Sequence, residues 1–218
     1  STSSFTQINL ITVNGAPSKL STNVFRYYLT TSATGFVVGT ATVTFTAGAW
    51  KDTNDTSGDR SLNLVSTQNF VVQGTTATII NPASGGSVGR ETINTQGYLE
   101  ITFRPTLGRI LTQTSINGDE FVLRNAAGTR VTVGTTPQRV GDSNTYRYTF
   151  TGPLAAGQYT IEFNAGAWAD DSTVANLAAT QTFLVQVATP TLASGLNQSK
   201  VNREALNGNQ YIDITFTP

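Results

Sequence analysis

The sequence lacks three residue types entirely, namely cysteine, histidine and methionine. Without cysteine, the chain has no disulfide framework, no thiolate zinc site and no cysteine nucleophile. Without histidine, it lacks the side chain that most often acts as a general base and as a transition-metal ligand. Because the first residue is not methionine, we expect a fragment or a processed chain, with any export signal outside it.

Charge is also scarce, since charged residues make up 12% of the 218 residues, about half the usual share of a soluble domain. The 13 basic and 13 acidic residues give a formal net charge of zero. The chain therefore has no electrostatic footprint for nucleic acid or for an anionic membrane surface. No apolar run approaches the roughly 20 residues that span a bilayer. We expect neither nucleic-acid binding nor membrane insertion.

Internal repetition is the most informative feature of the sequence. FTAGAW at residues 45–50 returns as FNAGAW at 163–168, and NVFRYYL at 23–29 returns as NTYRYTF at 144–150. STQNFVVQ ends at Gln73 and ATQTFLVQ ends at Gln186, which is a shift of 113 positions. GYLEITFRP, which ends at Pro105, returns as QYIDITFTP, which ends at Pro218, again 113 positions later. The period is therefore about 113 residues.

This period predicts three parts along the chain. Residues 74–184 form one complete repeat, residues 1–73 correspond to the C-terminal part of a repeat, and residues 185–218 correspond to the N-terminal part of the next.

Polar and apolar residues alternate with a period of two within the complete repeat, which is typical of half-buried strands. The alternation predicts strands at residues 77–80, 98–104, 120–124, 130–133, 146–150, 159–163 and 180–187. Asn-Pro, Gly-Gly, Asn-Gly and Gly-Pro pairs separate them as turn signals. No stretch has a helical period. About seven short strands per repeat predict an all-β fold of tandem antiparallel immunoglobulin-like β-sandwich repeats.

The blocks INPASGG, GYLEITF, FVLRNAAG, NTYRYTFTG, YTIEFNAGAWADD and ATQTFLV resemble the immunoglobulin-like repeats of very large secreted bacterial proteins. These are the giant adhesins and the hemolysin-type (RTX-like) surface proteins. The resemblance implies an extracellular rod at the cell surface, often rigidified by calcium, that carries adhesive or other terminal modules. The chain departs from true RTX proteins because GGSVGRETI at residues 85–93 lacks the Asp and the glycine phase of their calcium nonapeptides.

Acidic residues concentrate in the loop after each GAW block. The candidate calcium ligands are Asp52, Asn54, Asp55, Asp59, Asp170 and Asp171. Calcium takes six to eight oxygen ligands from carboxylates, amides and carbonyls, and clustered Asp and Asn residues supply such oxygens. The spacing is not that of an EF-hand, and Asp and Asn also cap backbone N–H groups in ordinary turns. Both interpretations, calcium ligands and turn residues, stay open, and no other cofactor is predicted.

Trp50 and Trp168 occupy the same position in the two GAW blocks. An exposed tryptophan can stack on a sugar ring in a binding module. A tryptophan that recurs at one position of each repeat is explained more simply as a packing residue over one end of the sandwich. We therefore predict a packing role for both.

Catalysis is not expected, because a nucleophile needs a positioned base and the chain has neither histidine nor cysteine. A glycosidase can use two carboxylates, and Glu100 and Glu162 lie on predicted strands. Their places in the alternation put both on outward faces, so we interpret them as surface residues.

These observations predict a structural repeat of an extracellular bacterial surface protein, such as an adhesin stalk, a filament or a surface-layer component. The two partial repeats expose apolar faces and strand edges. The expected partners are therefore copies of the chain or adjacent repeats of the same polypeptide, joined head to tail by strand complementation. The alternative is a glycan- or protein-binding module of a secreted adhesin, which contacts a glycan or a host surface through loops at one end of the sandwich.

Overall fold

The structure is a computed structural model, and it describes residues 12–13, 15–30, 36–50, 62–192, 200 and 202–217. The chain divides into two compact units, Ser1–Gly74 and Thr75–Pro218. The regular elements are mostly strands, paired in antiparallel sheets, with few helices. The prediction of an all-β fold is confirmed. The predicted division into three repeat parts stays a prediction.

The described part of the first unit consists of three strand pairs. Its strands are β1 (Thr12–Val13), β2 (Ser18–Ser21), β3 (Val24–Arg26), β4 (Leu29–Thr30), β5 (Gly39–Phe45) and β6 (Ser66–Val72). They form the antiparallel pairs β1–β4, β2–β3 and β5–β6.

The second unit carries the remaining elements. In chain order they are β7 (Thr76–Asn81), β8 (Ser87–Gly89), α1 (Arg90–Gln96), β9 (Tyr98–Arg104), a 3-10 turn (Gln113–Ser115), β10 (Phe121–Arg124), β11 (Arg130–Val131), β12 (Gln138–Arg139), β13 (Thr145–Thr149), β14 (Gly157–Phe163), β15 (Ala179–Gln186), β16 (Thr189–Leu192), α2 (Arg203–Asn209) and β17 (Ile214–Thr217).

Strands β7 to β15 build two sheets in a sandwich-like arrangement. One sheet has the order β12-β13-β9-β7, and the other has the order β11-β10-β14-β15-β8. All neighbours are antiparallel except β8, which is parallel to β15. Strands β16 and β17 form a separate antiparallel pair.

One hydrophobic core lies between these two sheets. The first sheet contributes its inward residues, among them Ile79, Leu99, Ile101, Phe103, Tyr146 and Tyr148. The second contributes Phe121, Leu123, Tyr159, Ile161, Phe163, Phe183 and Val185. The burial follows the alternation of the sequence, because successive side chains of a strand point to opposite faces of its sheet.

The expectation that no stretch is helical is wrong at α1 and α2. Each helix has seven residues, which is about two turns. In α1 only Ile93 is buried, and the helix ends at Gly97, whose φ of 73° is a left-handed conformation suited to glycine. A helix of two turns with one buried residue leaves no periodic signal. The predicted number of strands is also too low, because the alternation of the sequence does not indicate β8 and β12.

Two hairpins of the chain share one strand register. β5 pairs with β6 as β14 pairs with β15, and the terminal pairs are Gly39 with Val72 and Phe45 with Ser66 in the first hairpin, and Gly157 with Val185 and Phe163 with Ala179 in the second. The opening glycines have φ values of 137° and 142°. The β16–α2–β17 segment corresponds in the same way to β7–α1–β9, since Thr189 lies opposite Thr217 and Thr76 lies opposite Arg104.

The side chain of Gln181 links the two sheets of the second unit. It lies on β15, and its Oε1 accepts a hydrogen bond from the N–H of Ile79 on β7 at 2.9 Å. Its Nε2 donates to the carbonyl oxygen of Ala77 on the same strand at 2.8 Å. Gln181 therefore binds the main chain of the opposite sheet as a neighbouring strand would.

Replacing Gln181 with alanine should destabilise the second unit by about 1–3 kcal/mol, because both main-chain groups of β7 lose their partner. The measurement is urea unfolding followed by Trp168 fluorescence in a Trp50→Phe background. The matched control is Gln158→Ala on the exposed face of β14, which should change the free energy of unfolding by less than about 0.5 kcal/mol. Equal effects of the two substitutions would contradict this role.

Candidate functional site

The loop after β14 is organised by Trp168 and Asn176. The indole of Trp168 is only 2% exposed and meets the ring of Phe163 edge to face at a centroid distance of 5.6 Å. The main-chain N–H of Trp168 donates to Asn176 Oδ1 at 3.1 Å, and Asn176 Nδ2 donates to the carbonyl oxygen of Asn164 at 2.7 Å. Asn176 thus fixes the backbone of the loop that presents the tryptophan to the core.

The first unit repeats this arrangement around Trp50 and Asn63. The main-chain N–H of Trp50 donates to Asn63 Oδ1 at 3.0 Å, and Asn63 Nδ2 donates to the carbonyl oxygen of Thr46 at 2.7 Å. The ring centroids of Phe45 and Trp50 are 5.7 Å apart, again edge to face. The two loops therefore hold their tryptophans by the same hydrogen bonds, although the loops differ in length.

The two tryptophans differ in exposure. Trp168 is buried against the aromatic core of the second unit and therefore packs, as predicted, rather than offering a stacking face. Trp50 is 49% exposed, although its main-chain N–H makes the same hydrogen bond to an asparagine. The difference follows from what covers each ring, since Trp168 also meets Phe103 of β9 at a centroid distance of 5.0 Å.

Asp170 follows Trp168 in the loop and is almost fully buried. Its carboxylate accepts hydrogen bonds from the hydroxyl of Thr106, from the hydroxyl of Ser172 at 2.7 Å and from the N–H of Val174 at 3.1 Å. Burial raises the pKa of Asp170, but these hydrogen bonds outweigh burial and lower the pKa to about 2. The ionised carboxylate is therefore part of the loop structure, where it closes a turn and ties it to the strand end at Thr106.

Asp171, the next candidate ligand, is exposed and pairs with the backbone of Ile110. The N–H of Ile110 donates to Asp171 Oδ1 at 3.2 Å, and the N–H of Asp171 donates to the carbonyl oxygen of Ile110 at 2.8 Å. The other candidates, Asp52, Asn54, Asp55 and Asp59, lie outside the described residues. Within the described part of the chain, no group of three or more acidic side chains is placed to hold a metal ion. Calcium binding stays a prediction.

Glu100 and Glu162, the two carboxylates that a glycosidase would need, lie on different sheets. Glu100 on β9 accepts from Arg147 Nε at 2.8 Å, and Glu162 on β14 accepts from Arg124 Nε at 2.8 Å. Each carboxylate therefore forms a cross-strand ion pair on the outer face of its own sheet.

A buried carboxylate that the sequence pattern did not single out lies at Glu120. Its side chain is fully buried and accepts hydrogen bonds from the hydroxyl of Tyr148 at 2.9 Å, from the N–H of Gly118 at 2.9 Å and from the N–H of Asn117. Burial and the neighbouring Glu120 carboxylate both raise the pKa of Tyr148. The signal in the sequence was the Asn-Gly pair two residues before Glu120, which predicted a turn but not the carboxylate that closes it.

Exposed apolar side chains are concentrated in the first unit and in the last segment of the chain. In the first unit they include Val24, Phe25, Tyr28, Trp50 and Phe70, and in the last segment they include Leu206, Tyr211, Ile212, Ile214 and Phe216. In the two sheets of the second unit, the residues at the matching positions of the repeated sequence blocks are largely buried. Tyr146, for example, matches Phe25, and Phe103 matches Phe216. Exposed large apolar side chains on an unpartnered strand favour contact with another protein surface.

A scan of protein-family models and a search of curated protein sequences found no match to this chain. Among the described residues, no helix is both long enough and apolar enough to cross a membrane.

The low pKa of Asp170 predicts how stability depends on pH. A carboxylate whose pKa is lower in the folded state stabilises that state above its ordinary pKa near 4, and this contribution disappears as the pH falls through about 2. Asp170→Asn should therefore destabilise the second unit by about 2 kcal/mol near pH 6, and the difference from wild type should shrink toward pH 2. Urea midpoints measured across this range test the prediction. Asp171→Asn is the exposed control, and a pH-independent effect of Asp170→Asn would contradict the account.

Glu120→Gln should destabilise the second unit by about 2 kcal/mol, because one carboxylate oxygen becomes an NH2 group that faces N–H and O–H donors. Thermal unfolding monitored by near-ultraviolet circular dichroism measures the change. Asp119→Asn removes the neighbouring but exposed carboxylate and should leave the melting temperature within about two degrees of wild type. An unchanged melting temperature for Glu120→Gln would show that its hydrogen bonds contribute nothing.

Proposed function

We propose that this chain is a structural repeat of an extracellular bacterial surface protein, built from tandem immunoglobulin-like β-sandwich repeats with a period of about 113 residues. Its role is mechanical, in an adhesin stalk, a filament or a surface-layer component. Each sandwich is a cooperative unit whose short connections set the spacing of the array.

The observation that carries this proposal is the reuse of one hairpin register and one set of tryptophan–asparagine hydrogen bonds at two places in the chain. The β5–β6 and β14–β15 hairpins have the same register, and Asn63 and Asn176 hold their tryptophan loops with the same hydrogen bonds. A spacer needs the same structure in each repeat, whereas a recognition module needs one loop that differs. The two sheets of four and five strands, packed around one core, support the immunoglobulin-like assignment.

The polar groups of the second unit support a structural rather than a catalytic role. Asp170 and Glu120 each accept several hydrogen bonds, from their own turns and from Thr106 and Tyr148 respectively, and Glu100 and Glu162 pair with arginines on neighbouring strands. In none of these places does a nucleophile lie beside a free base.

The exposed aromatic residues of the first unit also fit a structural role better than glycan binding. Trp50 is the natural candidate for stacking on a sugar, but its counterpart Trp168 is a core residue with the same backbone contacts. We attribute the exposure of Trp50 to the lack, among the described residues, of a ring that covers it as Phe103 covers Trp168. The extracellular location rests on the resemblance of the sequence blocks to secreted bacterial repeats.

The proposal predicts that antibodies raised against residues 75–186 label intact cells of the source bacterium. Immunogold electron microscopy measures the label, and external protease should remove it. A cytoplasmic marker, which must be detected only after permeabilisation, is the control for cell integrity. A signal seen only in permeabilised cells would contradict the extracellular role, and specific binding of the purified chain to a glycan array would favour the adhesive alternative.

A further inference from the structure

In the second unit, Arg147 holds the central strand pair of the four-stranded sheet together. It lies on β13 directly opposite Glu100 on β9, and its Nε donates to Glu100 Oε1 at 2.8 Å. Its guanidinium also lies over the ring of Tyr98, 4.6 Å from the ring centroid. A cross-strand ion pair and a cation–π contact therefore converge on one arginine.

An arginine, a tyrosine and an acidic residue recur on segments that have one strand neighbour or none among the described residues. Arg26 follows Phe25 in the first unit as Arg147 follows Tyr146, and Tyr211 and Asp213 match Tyr98 and Glu100. Within the described part of the first unit, β3 pairs with β2 alone. In the second unit, β17 pairs with β16 alone among the described strands. β13 and β9 have two neighbours each, and the pairing that β3 and β17 lack is the one that joins β13 to β9.

The apolar residues of the two edges also match. Phe103 on β9 is fully buried, and its ring centroid lies 5.0 Å from that of Trp168 and 5.7 Å from that of Tyr146. Its counterpart Phe216 is 64% exposed. The counterparts of its two ring partners, Trp50 and Phe25, are about half exposed.

Gln68 provides a third match that is independent of charge. It occupies the position of Gln181, whose side chain binds the carbonyl oxygen of Ala77 and the N–H of Ile79. The counterparts of these two main-chain groups are the carbonyl oxygen of Pro190 and the N–H of Leu192. Pro190 has no N–H, but the contact uses only its carbonyl oxygen.

We propose that residues 211–215 of one copy of the chain pair antiparallel with residues 24–28 of a second copy. Arg26 lies opposite Asp213 and beside Tyr211, and Phe216 enters the space between Phe25 and Trp50. The inference deepens the proposed function, because it rests on the equivalence of the repeats and names a second copy as the partner.

The contact is heterologous, because the donor segment and the acceptor edge are different surfaces of the chain. Each copy that donates residues 211–215 still offers its own residues 24–28, so copies join head to tail into open chains, or into closed rings where the rotation between copies closes. The opposite charges of Arg26 and Asp213 allow this register and disfavour pairing of two like ends.

Charge reversal tests the register. Arg26→Glu and Asp213→Arg should each raise the chain concentration needed for assembly by about tenfold or more, because each places like charges opposite one another. The double variant Arg26→Glu/Asp213→Arg should assemble as wild type does. An equimolar mixture of the two single variants should also assemble, since each interface then joins opposite charges. Light scattering over a range of concentrations, with electron microscopy of the products, measures assembly.

Two controls separate this contact from general effects. Arg109→Glu makes the same charge change in an exposed turn of the second unit and should leave assembly unchanged. Phe216→Ala should weaken assembly without any change of charge. In a Trp50→Phe background and below the concentration of assembly, Trp168 fluorescence should show the same unfolding midpoint in all variants, because the changed residues lie outside the core that Trp168 reports.

Three results would overturn the inference: a wild-type chain that stays monomeric at all concentrations, assembly that tolerates both single reversals, or loss of assembly that neither the double variant nor the mixture restores. If the chain stays monomeric and the effects of the two charge reversals depend on one another, residues 211–215 pair with residues 24–28 of the same chain. That result would overturn the role of a second copy. None of these results bears on surface labelling of cells, which tests the proposed function separately.

Discussion

The packing of Phe103 against the aromatic residues of β13 and the GAW loop is the interaction on which the other features of the second unit depend. Phe103 touches Trp168, and Trp168 keeps its place because Asn176 fixes the backbone around it. The ring of Phe103 also packs near Tyr148, whose hydroxyl reaches the buried Glu120 and so ties the turn before β10 to the core. The polar contacts of the loops are therefore positioned by the aromatic residues beneath them.

This dependence explains why the first unit and the last segment of the chain expose so many apolar side chains. Trp50 and Asn63 make the same main-chain hydrogen bond as Trp168 and Asn176, and Phe216 occupies the sequence position of Phe103. Full burial of one such aromatic side chain is worth about 2–3 kcal/mol. A matching donor segment gains this energy together with the strand hydrogen bonds. The exposed surfaces are therefore consistent with the proposed pairing of residues 211–215 with residues 24–28.

The sequence predicted the elements whose signal is local. Residues 98–104 form the strand that their alternation indicates, because Leu99, Ile101 and Phe103 face the core while the intervening residues face outward. For Asp170 the sequence left two interpretations open, a calcium ligand and a turn residue, and in the structure its carboxylate closes a turn.

Other features could not be predicted because they are created by tertiary contacts. β8 and β12 have three and two residues and exist only because β15 and β13 lie beside them. Helix α1 is held by one buried side chain, Ile93, which cannot produce a period. Glu120 reads as a surface residue until the fold places the hydroxyl of Tyr148 next to it.

The environment of Trp50 reports directly on whether a second copy completes the first unit, because this residue is exposed in the single chain whereas Trp168 is buried. The measurement is the wavelength of tryptophan emission, together with the fraction of emission quenched by acrylamide, as the chain concentration is raised. If a second copy completes the first unit with Phe216, the emission shifts to shorter wavelength and the quenchable fraction falls as assembly proceeds. If chains assemble while Trp50 stays fully quenchable, the copies join through some other surface and the account is wrong.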